Sequence, residues 1–530
     1  MLNIDELERE RLEIQARLDS EKTQAERNRM GQFATPTALA CDLLRYAKRE
    51  LSLDTPIRFL DPALGTGSFY SAFLRIFGED APFAADGFEI DGHYGEPSRD
   101  LWQQHGLNIR SEDFTAAVPP ENDADKATLL ICNPPYVRHH HISAEDKRRL
   151  HDRVAAKHGI ALSGLSGLYC YFLCLSKEWM ASGGLAAWLI PSEFMDVNYG
   201  RAVKDFLLNK VTLLHIHRFS PADVQFGDAL VSSAIVWFRN ESPAPSHTAR
   251  FSLGGSLLEP STESEYPLEQ LHLEKKWTSL PQTGTPRQIA ITCELPEPVL
   301  GDFFSVKRGI ATGANNFFIM SLAEAERRKI PKQFLTPILP SPRYLATDRI
   351  ENGKDGVPAI EKLGFLFSSA LPEERIQHEY PDVWKYLEEG RERGVPEGYI
   401  CRNRYPWYQQ ERREAPMFLC TYMGRTNGNG TDQVFRFILN HSNAVAANVY
   451  LLLYPKPWVK KELQANPHLA EEIWAMLQSI PVGSLIGEGR VYGGGLHKLE
   501  PKELLNVPAE KFALLFSSHF KVSAIQMTLF

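Results

Sequence analysis

Two consecutive prolines between an asparagine and a tyrosine are the residues that point most directly to chemistry. Asn133, Pro134, Pro135 and Tyr136 follow the apolar run 127–132. Proline fixes its own φ and keeps the preceding residue out of the helical region, so this segment is expected to be a stiff extended turn. The turn presents an amide, a carbonyl that cannot join a helix ladder, and an aromatic face. These groups could bind a planar amine. The same four residues would also fit a turn that only ends the strand and exposes a tyrosine at the surface.

The elements around this turn must form a parallel sheet if the turn is to face a ligand. From residue 32 to about residue 239, short apolar runs such as "IRFLD" and "TLLICNPPY" alternate with helical stretches such as "SFYSAFLRIF". This alternation predicts an α/β fold, a doubly wound and mostly parallel sheet with helices on both faces. Ligands of such sheets lie beyond the carboxyl ends of the strands, where the asparagine turn is expected.

A glycine-containing loop and a later acid indicate a second ligand at the same edge. "FLDPALGTGSF" places Asp61, Gly65 and Gly67 between a strand and a helix, where glycine allows close approach to the backbone. Glu89 follows about 20 residues later, the spacing at which an acid binds the ribose hydroxyls of an adenosine ligand. The signature of triphosphate sites, G-x-x-x-x-G-K-[ST], is absent. An adenosine without phosphates therefore fits best.

Size, apolar content and charge indicate a globular protein. The chain has 530 residues, 43% of them hydrophobic, which suffices for two or three domains. It contains no apolar run of about 18 residues and no basic start leading into an apolar segment, so no membrane association and a cytoplasmic location are expected. The formal charge of −8 argues against a histone-like coating of nucleic acid. It leaves room for a local basic cleft.

No metal site is expected. The seven cysteines are odd in number and form no C-x-x-C pair, so they are interpreted as reduced, mostly buried thiols. Cys170 and Cys174 lie one helical turn apart, which packing explains. The adjacent His139, His140 and His141 cannot all face one ion from regular structure, and a solvated loop near phosphate is the better interpretation.

Composition divides the chain into four segments. Residues 1–30 are rich in Glu, Arg and Leu and predict one charged helix, with Leu7, Ile14 and Leu18 on one stripe. This helix is expected to be solvated, to pack on a neighbour or to pair in a dimer. The alternating pattern covers residues 31–240, and the Pro- and Ser-rich stretch 241–295 is expected to be an irregular connector. A mixed region with many arginines and aromatics occupies residues 296–530.

The order of the motifs "GQFATP", "DPALGTG", "FEID", "EDF" and "NPPY" resembles the S-adenosylmethionine-dependent DNA adenine N6 methyltransferases of the gamma arrangement. The resemblance extends from about Gly31 to the end, and it includes "FFSVKRGIATGANNFF" and "GEGRVYGGGLHKLEP" in the second region. It implies a seven-stranded methyltransferase sheet followed by a C-terminal mixed α+β target-recognition domain. The implied cofactor is S-adenosyl-L-methionine and the implied partner is double-stranded DNA. The stretch after Tyr136, "VRHHHISAEDKRRLHDRVAAKH", departs from the family pattern, and no role can be carried over to it.

The resemblance also implies roles for individual residues. Catalysis is assigned to Asn133, Pro134, Pro135 and Tyr136, and stacking on the target base to Tyr136 and Phe226. The expected cofactor-binding residues are Thr35, Asp61, Ala63, Gly65, Gly67, Glu89, Ile90, Asp113, Phe114, Asn133, Pro135 and Phe172, the last of which could equally be a core residue. The candidate DNA contacts are Arg308, Arg343, Arg404, Arg425, Arg490 and Lys498.

The residues of the turn support the implied mechanism independently. The lone pair of an adenine amine is delocalised into the ring, and two acceptors, the Asn133 oxygen and the Pro134 carbonyl, would localise it toward the methyl donor. The base must first be flipped out of the duplex, and aromatic faces such as Tyr136 offset the cost. A cytosine-C5 enzyme is disfavoured, since it needs a nucleophilic cysteine, typically after proline, and no cysteine here follows a proline.

Other functions remain open from the residues alone. An Asn-Pro-Pro-Tyr turn also serves protein-glutamine and ribosomal RNA methyltransferases, and the chain could be a catalytically inactive DNA-binding subunit. DNA is favoured because residues 296–530 mix arginines, aromatics and glycines as nucleic-acid surfaces do. A fused nuclease is not supported, since Pro381-Asp382 has no E-x-K nearby. A cognate restriction endonuclease acting separately would fit a modification role, and a monomer or weak dimer is expected.

Overall fold

The computed structural model divides the chain into two units, residues 1–289 with 492–494 and residues 290–491 with 495–530. The structure describes residues 3–51, 56–78, 83–220, 232–281, 298–425, 434–492 and 496–516. Within these ranges no helix is long and apolar enough to span a bilayer. Phe226 and Cys293 lie outside the described residues, whereas the other six cysteines are buried free thiols.

A nine-stranded sheet forms the centre of the first unit. Its order is β3-β2-β1-β4-β5-β7-β6-β8-β9, with parallel pairing from β3 through β5 and antiparallel pairing of β7 with both neighbours. The expected α/β sheet is confirmed, but it has nine strands rather than seven, because β8 and β9 extend it beyond β6. The strands are β1 Ile57–Asp61, β2 Phe83–Phe88, β3 Leu107–Arg110, β4 Ala127–Cys132, β5 Met180–Pro191, β6 Thr212–Arg218, β7 Ser233–Arg239, β8 Thr248–Gly255 and β9 Pro260–Pro267.

Strands β8 and β9 lie where the sequence predicts an irregular connector over residues 241–295. Strand β8 pairs parallel with β6 and antiparallel with β9. The side chains of Ala249 and Phe251 are buried, whereas most of edge strand β9 is exposed. Most side chains of an edge strand can face solvent, so the strand can be rich in Ser, Thr and Glu and resemble a loop in composition. The prediction of irregular structure is therefore wrong for these two strands.

Helices cover the first unit's sheet. They are α1 Ile4–Ser20, α2 Gln24–Met30, α3 Thr37–Glu50, α4 Ser68–Phe77, α5 Gly92–Trp102, α6 Ala144–His158, α7 Leu168–Leu175, α8 Arg201–Asn209 and α9 Leu268–Leu273. The N-terminal segment is two helices rather than one, because Thr23 caps α2 through a capping box. Its apolar stripe faces the unit's own core: Leu18 is buried, and Leu7 and Ile14 pack against a core cluster of this unit.

Parallel pairing brings the candidate ligand-binding loops to one edge of the sheet. Residue Asp61 at the end of β1 pairs with Gly87 of β2, and Phe88 pairs with Arg110 at the end of β3. Strand β4 runs beside β1 and ends at Cys132, one residue before the asparagine turn. The glycine loop, the Glu89 segment and the asparagine turn therefore follow neighbouring strands at their carboxyl ends.

The second unit is a mixed α+β structure with sheets of five, four and three strands, ordered β10-β19-β15-β17-β13, β11-β14-β12-β18 and β16-β21-β20. Its strands are β10 Phe304–Arg308, β11 Ile319–Met320, β12 Leu335–Leu339, β13 Arg349–Ile350, β14 Gly364–Phe367, β15 Phe418–Thr421, β16 Met423–Arg425, β17 Phe437–Asn440, β18 Val445–Ala446, β19 Tyr450–Pro455, β20 Arg490–Tyr492 and β21 Leu496–Lys498. Its helices are α10 Leu300–Phe303, α11 Asn315–Phe318, α12 Leu322–Arg327, α13 Glu373–Glu379, α14 Pro381–Glu392, α15 Pro457–Ala465, α16 Leu469–Gln478, α17 Val482–Glu488, α18 Pro501–Leu505 and α19 Glu510–Leu515. A C-terminal mixed domain was expected and is present.

Candidate active site

The side chain of Asn133 is held in one orientation by two hydrogen bonds. Its Nδ2 donates to the Phe33 carbonyl at 2.9 Å and to Thr35 Oγ1 at 3.1 Å. A carbonyl can only accept, so the nitrogen must face Phe33 and the oxygen must face away. Asn133 Oδ1 is buried and has no hydrogen-bond partner in the described part of the chain. The residue lines a cavity of about 690 Å³, so the turn offers this cavity a fixed, unused acceptor.

Tyr136 is packed more tightly than a surface tyrosine. Its hydroxyl donates to the Leu189 carbonyl at 3.0 Å, its N–H donates to the Gly31 carbonyl at 3.1 Å, and 9% of the residue is exposed. Its ring lies 5.7 Å from that of Phe33, centroid to centroid. A Cβ on Gly31, whose φ is +68°, would lie 2.3 Å from the Tyr136 nitrogen. The "GQFATP" segment and the asparagine turn therefore form one packed structure that only glycine at position 31 allows.

The glycine loop after β1 contributes backbone rather than side chains to the cavity. Ala63 and Gly65 line the cavity, and the Gly65 N–H donates to Glu89 Oε2 at 2.9 Å. Gly67 is turned away from the cavity, because a Cβ there would lie 2.5 Å from Trp102 Nε1. Asp61 is buried beneath the loop and accepts from the Ala63 N–H at 3.1 Å, and burial raises its pKa to about 8. Gly67 and Asp61 thus shape the loop.

Glu89 is oriented by the backbone around it. Its two carboxylate oxygens accept from the Gly65 N–H and from the Asp91 N–H at 2.8 Å. Burial raises the pKa of Glu89, and the nearby Asp91 carboxylate adds to the rise. Each carboxylate oxygen keeps a second lone pair. The side chain lines the cavity beside the exposed Ile90. This is an arrangement in which a carboxylate can accept from the hydroxyls of a ribose.

The opposite wall of the cavity comes from the segment after β3 and from α7. Rings of Phe114 and Phe172 lie 5.4 Å apart, and both residues are buried in the core while lining the cavity. Phe172 is therefore a core residue and a cavity wall at once. The carboxylate of Asp113 accepts from Thr115 and, at 3.1 Å, from Arg149 of α6.

The sequence prediction missed the N-terminal helices and α6 as walls of the cavity. Side chains of α1 and α2 line it together with the start of α6, and these are Gln15, Asp19, Glu26, Arg29, Met30, Asp146 and Arg149. The lining contains six acidic residues and two arginines, so it suits a ligand with positive charge. No short motif marks these helices in the sequence, because their contacts join residues far apart in the chain.

A buried ion pair fixes α1 to the glycine loop. The Arg11 guanidinium, 1% exposed, donates to both oxygens of Glu8, to Ser68 Oγ at 3.0 Å and to Thr66 Oγ1 at 3.2 Å. Glu8 also accepts from Ser71 Oγ at 2.6 Å. Burial opposes ionisation of Glu8, but Arg11 and the hydroxyl donors outweigh it and lower the pKa of Glu8. A solvated N-terminal helix, one of the expectations, is therefore ruled out.

The six candidate DNA contacts of the second unit fall into different environments. Arg308 and Lys498 lie over the Tyr422 ring, at 4.0 and 5.2 Å from its centroid. Arg490 donates to Glu503 at 2.8 Å. Arg343 is exposed and lies 4.5 Å from the centroid of the Tyr344 ring, and Arg425 is exposed on β16. These five side chains lie wholly or partly at the surface.

Arg404 has a structural partner set. Its guanidinium donates to the carbonyls of Ala311 and Thr312 at 2.8 and 3.2 Å, and to Gln410 Oε1 at 2.7 Å. These bonds fix the loop of the "RGIATG" motif. The loop borders a second cavity of about 510 Å³, which belongs to the second unit.

The geometry of the main cavity limits the chemistry. Among the described residues no three His, Cys, Asp or Glu side chains could hold a metal together. Cys132 directly precedes Asn133, but it is fully buried and burial raises its pKa well above the usual value, so it is no nucleophile. The cavity offers an unused amide oxygen, a ribose-type acceptor and aromatic walls, and its volume lies in the range of small-molecule sites. It can therefore bind an adenosine ligand next to an amine.

Comparisons with known proteins show which families this chain is similar to. The family model of the Eco57I restriction-modification methylase matches residues 72–225, and that of the C-terminal domain of the type II methyltransferase M.Eco57I matches residues 274–524. Type II methyltransferase M.AccI of Acinetobacter calcoaceticus is 26% identical over 90% of this chain and 85% of its own. Type II methyltransferase M.XamI of Xanthomonas campestris pv. amaranthicola is 28% identical over 91% of this chain and 85% of its own.

One solved structure shares the fold over most of the chain. The type IIL restriction-modification enzyme MmeI, in complex with DNA, superposes with a TM-score of 0.52 at 13% identity, covering 84% of this chain and 66% of its own. At this identity the likeness is one of fold.

Proposed function

The chain belongs to the Eco57I family of type II restriction-modification methylases and is a DNA methyltransferase, and from this premise we propose that it methylates the N6 amine of an adenine flipped out of double-stranded DNA. The observation that carries the proposal is the Asn133 amide. Its oxygen is a buried acceptor without a partner in the described residues, at the edge of a cavity suited to adenosine. Buried polar groups are normally paired, so an unpaired one at this place indicates a partner supplied by substrate.

S-adenosyl-L-methionine is the methyl donor, and when bound it supplies an electrophilic methyl group on a positively charged sulfonium. The residues that would hold it are those of the main cavity. Glu89 would accept from the ribose hydroxyls, Asp113 and Phe114 would bind the adenine ring, and the acidic lining would favour the cationic ligand.

The amine is activated by hydrogen bonding rather than by a strong base. Asn133 Oδ1 and the Pro134 carbonyl each accept one N–H of the target amine, which localises its lone pair on nitrogen. The two acceptors would thus hold the amine nitrogen with its lone pair directed at the cofactor cavity, where bound S-adenosyl-L-methionine would supply the methyl group. Because Phe33 and Thr35 already hold the amide, Asn133 needs little reorganisation when the amine arrives.

Base flipping requires aromatic surface near this acceptor. We assign one stacking face to Tyr136, whose ring is packed beside Phe33, and the other to Phe226, which lies outside the described residues. Only 9% of Tyr136 is exposed, so its ring would present only part of its surface to a stacked base.

We assign recognition of the DNA sequence to the second unit, residues 296–530. Its exposed cations Arg308, Arg343 and Arg425 support this assignment, and Arg490 and Lys498 lie close to Arg308 around Tyr422. We do not assign Arg404 as a DNA contact, because its guanidinium donates to backbone carbonyls of a loop in its own unit.

The proposal is tested by mapping methylated bases in DNA treated with the purified protein. Single-molecule sequencing of plasmid DNA after incubation with the donor should show modified adenines at one recurring sequence. A cytosine N4 amine is also a planar exocyclic amine, so methylated cytosine at that sequence would overturn the adenine assignment while leaving the role of Asn133 intact. Absence of any methylated base would overturn the proposed function altogether.

A further inference from the structure

Basic side chains follow the turn that carries Asn133. Arg138 is the second residue after Tyr136, the three histidines form one 3₁₀ turn, and Lys147 and Arg148 lie in the first half of α6. All of these side chains are exposed or half-buried. We call this set the basic rim, and its members are Arg138, His139, His140, His141, Lys147 and Arg148.

The basic rim is continuous with the mouth of the main cavity. His141 lines that cavity, as does Arg29 of α2. The pKa of His141 is lowered first by the little burial it has and then by the nearby His140, Arg29 and Arg138. The rings of His140 and His141 lie 4.1 Å apart, centroid to centroid. Positive groups from two separate elements therefore converge at the entrance to the site.

The cations of the basic rim are unpaired, unlike their neighbours on the same helix. In the parts of the chain that are described, the side chains of Arg138, Lys147 and Arg148 have no hydrogen-bond or ion-pair partner. In contrast, Arg149 and Arg153 turn inward and donate to backbone carbonyls of residues 115–117. The inward arginines fix α6 to the cavity wall, and the outward cations are left for a ligand.

The charge of this segment is opposite to that of the chain. Residues 137–158 contain six Lys and Arg against three Asp and Glu, a formal charge of +3 with neutral histidines, whereas the whole chain carries −8. An unpaired cluster of cations in an acidic protein is costly in self-repulsion and attracts an anion.

We propose that the basic rim binds the phosphodiester groups that flank the flipped target base, an inference that rests on the proposed function. A base leaves the duplex by rotation of its own backbone, so its neighbouring phosphates must stay close to the entrance of the site. Cations at that entrance neutralise these phosphates and release the counterions bound to them. Phosphate contacts carry no sequence information, so the basic rim holds the strand without selecting its sequence.

The test compares two triple variants of the full-length protein with equal loss of charge. The rim variant is Arg138→Gln with Lys147→Gln and Arg148→Gln. The control variant is Arg49→Gln with Lys126→Gln and Lys210→Gln. Arg49 lies in the last turn of α3, the helix before β1, and Lys126 and Lys210 lie just before β4 and β6. None of the six side chains belongs to the cofactor cavity.

Binding to a duplex that contains the methylated sequence is measured without turnover across a range of salt concentrations. The rim variant should bind at least roughly tenfold more weakly at low salt, and its slope of log K against log[salt] should fall by about 2 to 3 for three lost phosphate contacts. An unrelated duplex should lose affinity by the same factor, because phosphate contacts do not read sequence. The control variant should keep nearly the wild-type slope, and both variants should keep wild-type affinity for S-adenosyl-L-methionine.

Replacing chosen phosphates by uncharged methylphosphonates shows which phosphates the basic rim contacts. A duplex with methylphosphonates on both sides of the target base should bind the wild-type protein more weakly, and should weaken the rim variant little further. An unchanged salt slope in the rim variant, or equal losses for both proteins on the neutral duplex, would overturn the inference. Binding is measured without methyl transfer, so these results test the basic rim even if the methylated base is not adenine.

Discussion

Replacing Asn133 by alanine is expected to lower methyl transfer by at least about a hundredfold while S-adenosyl-L-methionine still binds. The deleted oxygen is a buried, pre-oriented acceptor, and removing one such group from an active site costs about 2.7–4 kcal/mol of transition-state stabilisation, or about 10² to 10³ in rate. The rate is measured in single-turnover reactions with a labelled methyl group and saturating DNA, and cofactor affinity by calorimetry.

The Asn133→Ala substitution also removes two hydrogen bonds donated by the amide nitrogen, and their effect must be separated from the loss of the oxygen acceptor. The alanine variant also leaves the Phe33 carbonyl and Thr35 Oγ1 without their donor, at about 1 kcal/mol each. Thr35→Val is the matched control, because it removes one of these bonds and keeps the oxygen of Asn133. We expect it to slow transfer by no more than roughly fivefold, corresponding to about 1 kcal/mol.

Two results would refute this reasoning. If Asn133→Ala loses cofactor affinity by the same factor as rate, the amide serves the cofactor and not the amine. If Thr35→Val is as slow as Asn133→Ala, the effect comes from a displaced turn, and the free oxygen has no special role.

Other perturbations have equally defined outcomes. Arg11→Met should lower the free energy of unfolding in urea by about 3–5 kcal/mol, because Glu8 is left as an unpaired buried charge, and the added change Glu8→Gln should recover part of the loss. Because the folded-state pKa of Glu8 is lowered, its contribution to stability is complete above its unfolded pKa and disappears as pH falls through the folded pKa. The free energy of unfolding of the wild type should therefore fall with acid over this range, and that of Glu8→Gln should lack this fall. Glu89→Gln should weaken binding of the cofactor by about 1.5–3 kcal/mol, the value of hydrogen bonds to a charged group; an unaltered Kd would show that Glu89 does not bind the ribose. Phe226→Ala should weaken DNA binding or turnover by about 1–3 kcal/mol and alter the fluorescence of 2-aminopurine at the target position, whereas Phe226→Trp should keep much of the activity; unfolding of Phe226→Ala without that signal would make Phe226 a core residue.

The parts of the site that were predictable from sequence are those that local covalent geometry restricts. Two prolines force the turn after β4, so Asn133 could be placed at the sheet edge without knowledge of any distant contact. Glu89 was placed by its distance from the glycine loop, because one crossover connection separates neighbouring strands of this fold. Both residues line the cavity in the structure.

The parts that escaped prediction depend on contacts distant in sequence. Glu8 and Arg11 have the spacing of an exposed helical ion pair, and they are buried only because Ser68 and Ser71 of α4 supply hydroxyl partners. Likewise, nothing in the sequence of α6 distinguishes Arg149, which contacts Asp113, from the outward Arg148. Charged residues reveal their environment only when their partners are known.

The most direct test of the central claim is the identity of the methylated nucleoside. Unmodified duplex DNA is incubated with the protein and S-adenosyl-L-methionine carrying a trideuterated methyl group, digested to nucleosides and examined by mass spectrometry, with Asn133→Ala in parallel. The wild-type protein should give labelled N6-methyl-2′-deoxyadenosine, and the variant at most about a hundredth of that amount in the same time. Label on cytosine, or equal label on adenine from both proteins, would contradict the account.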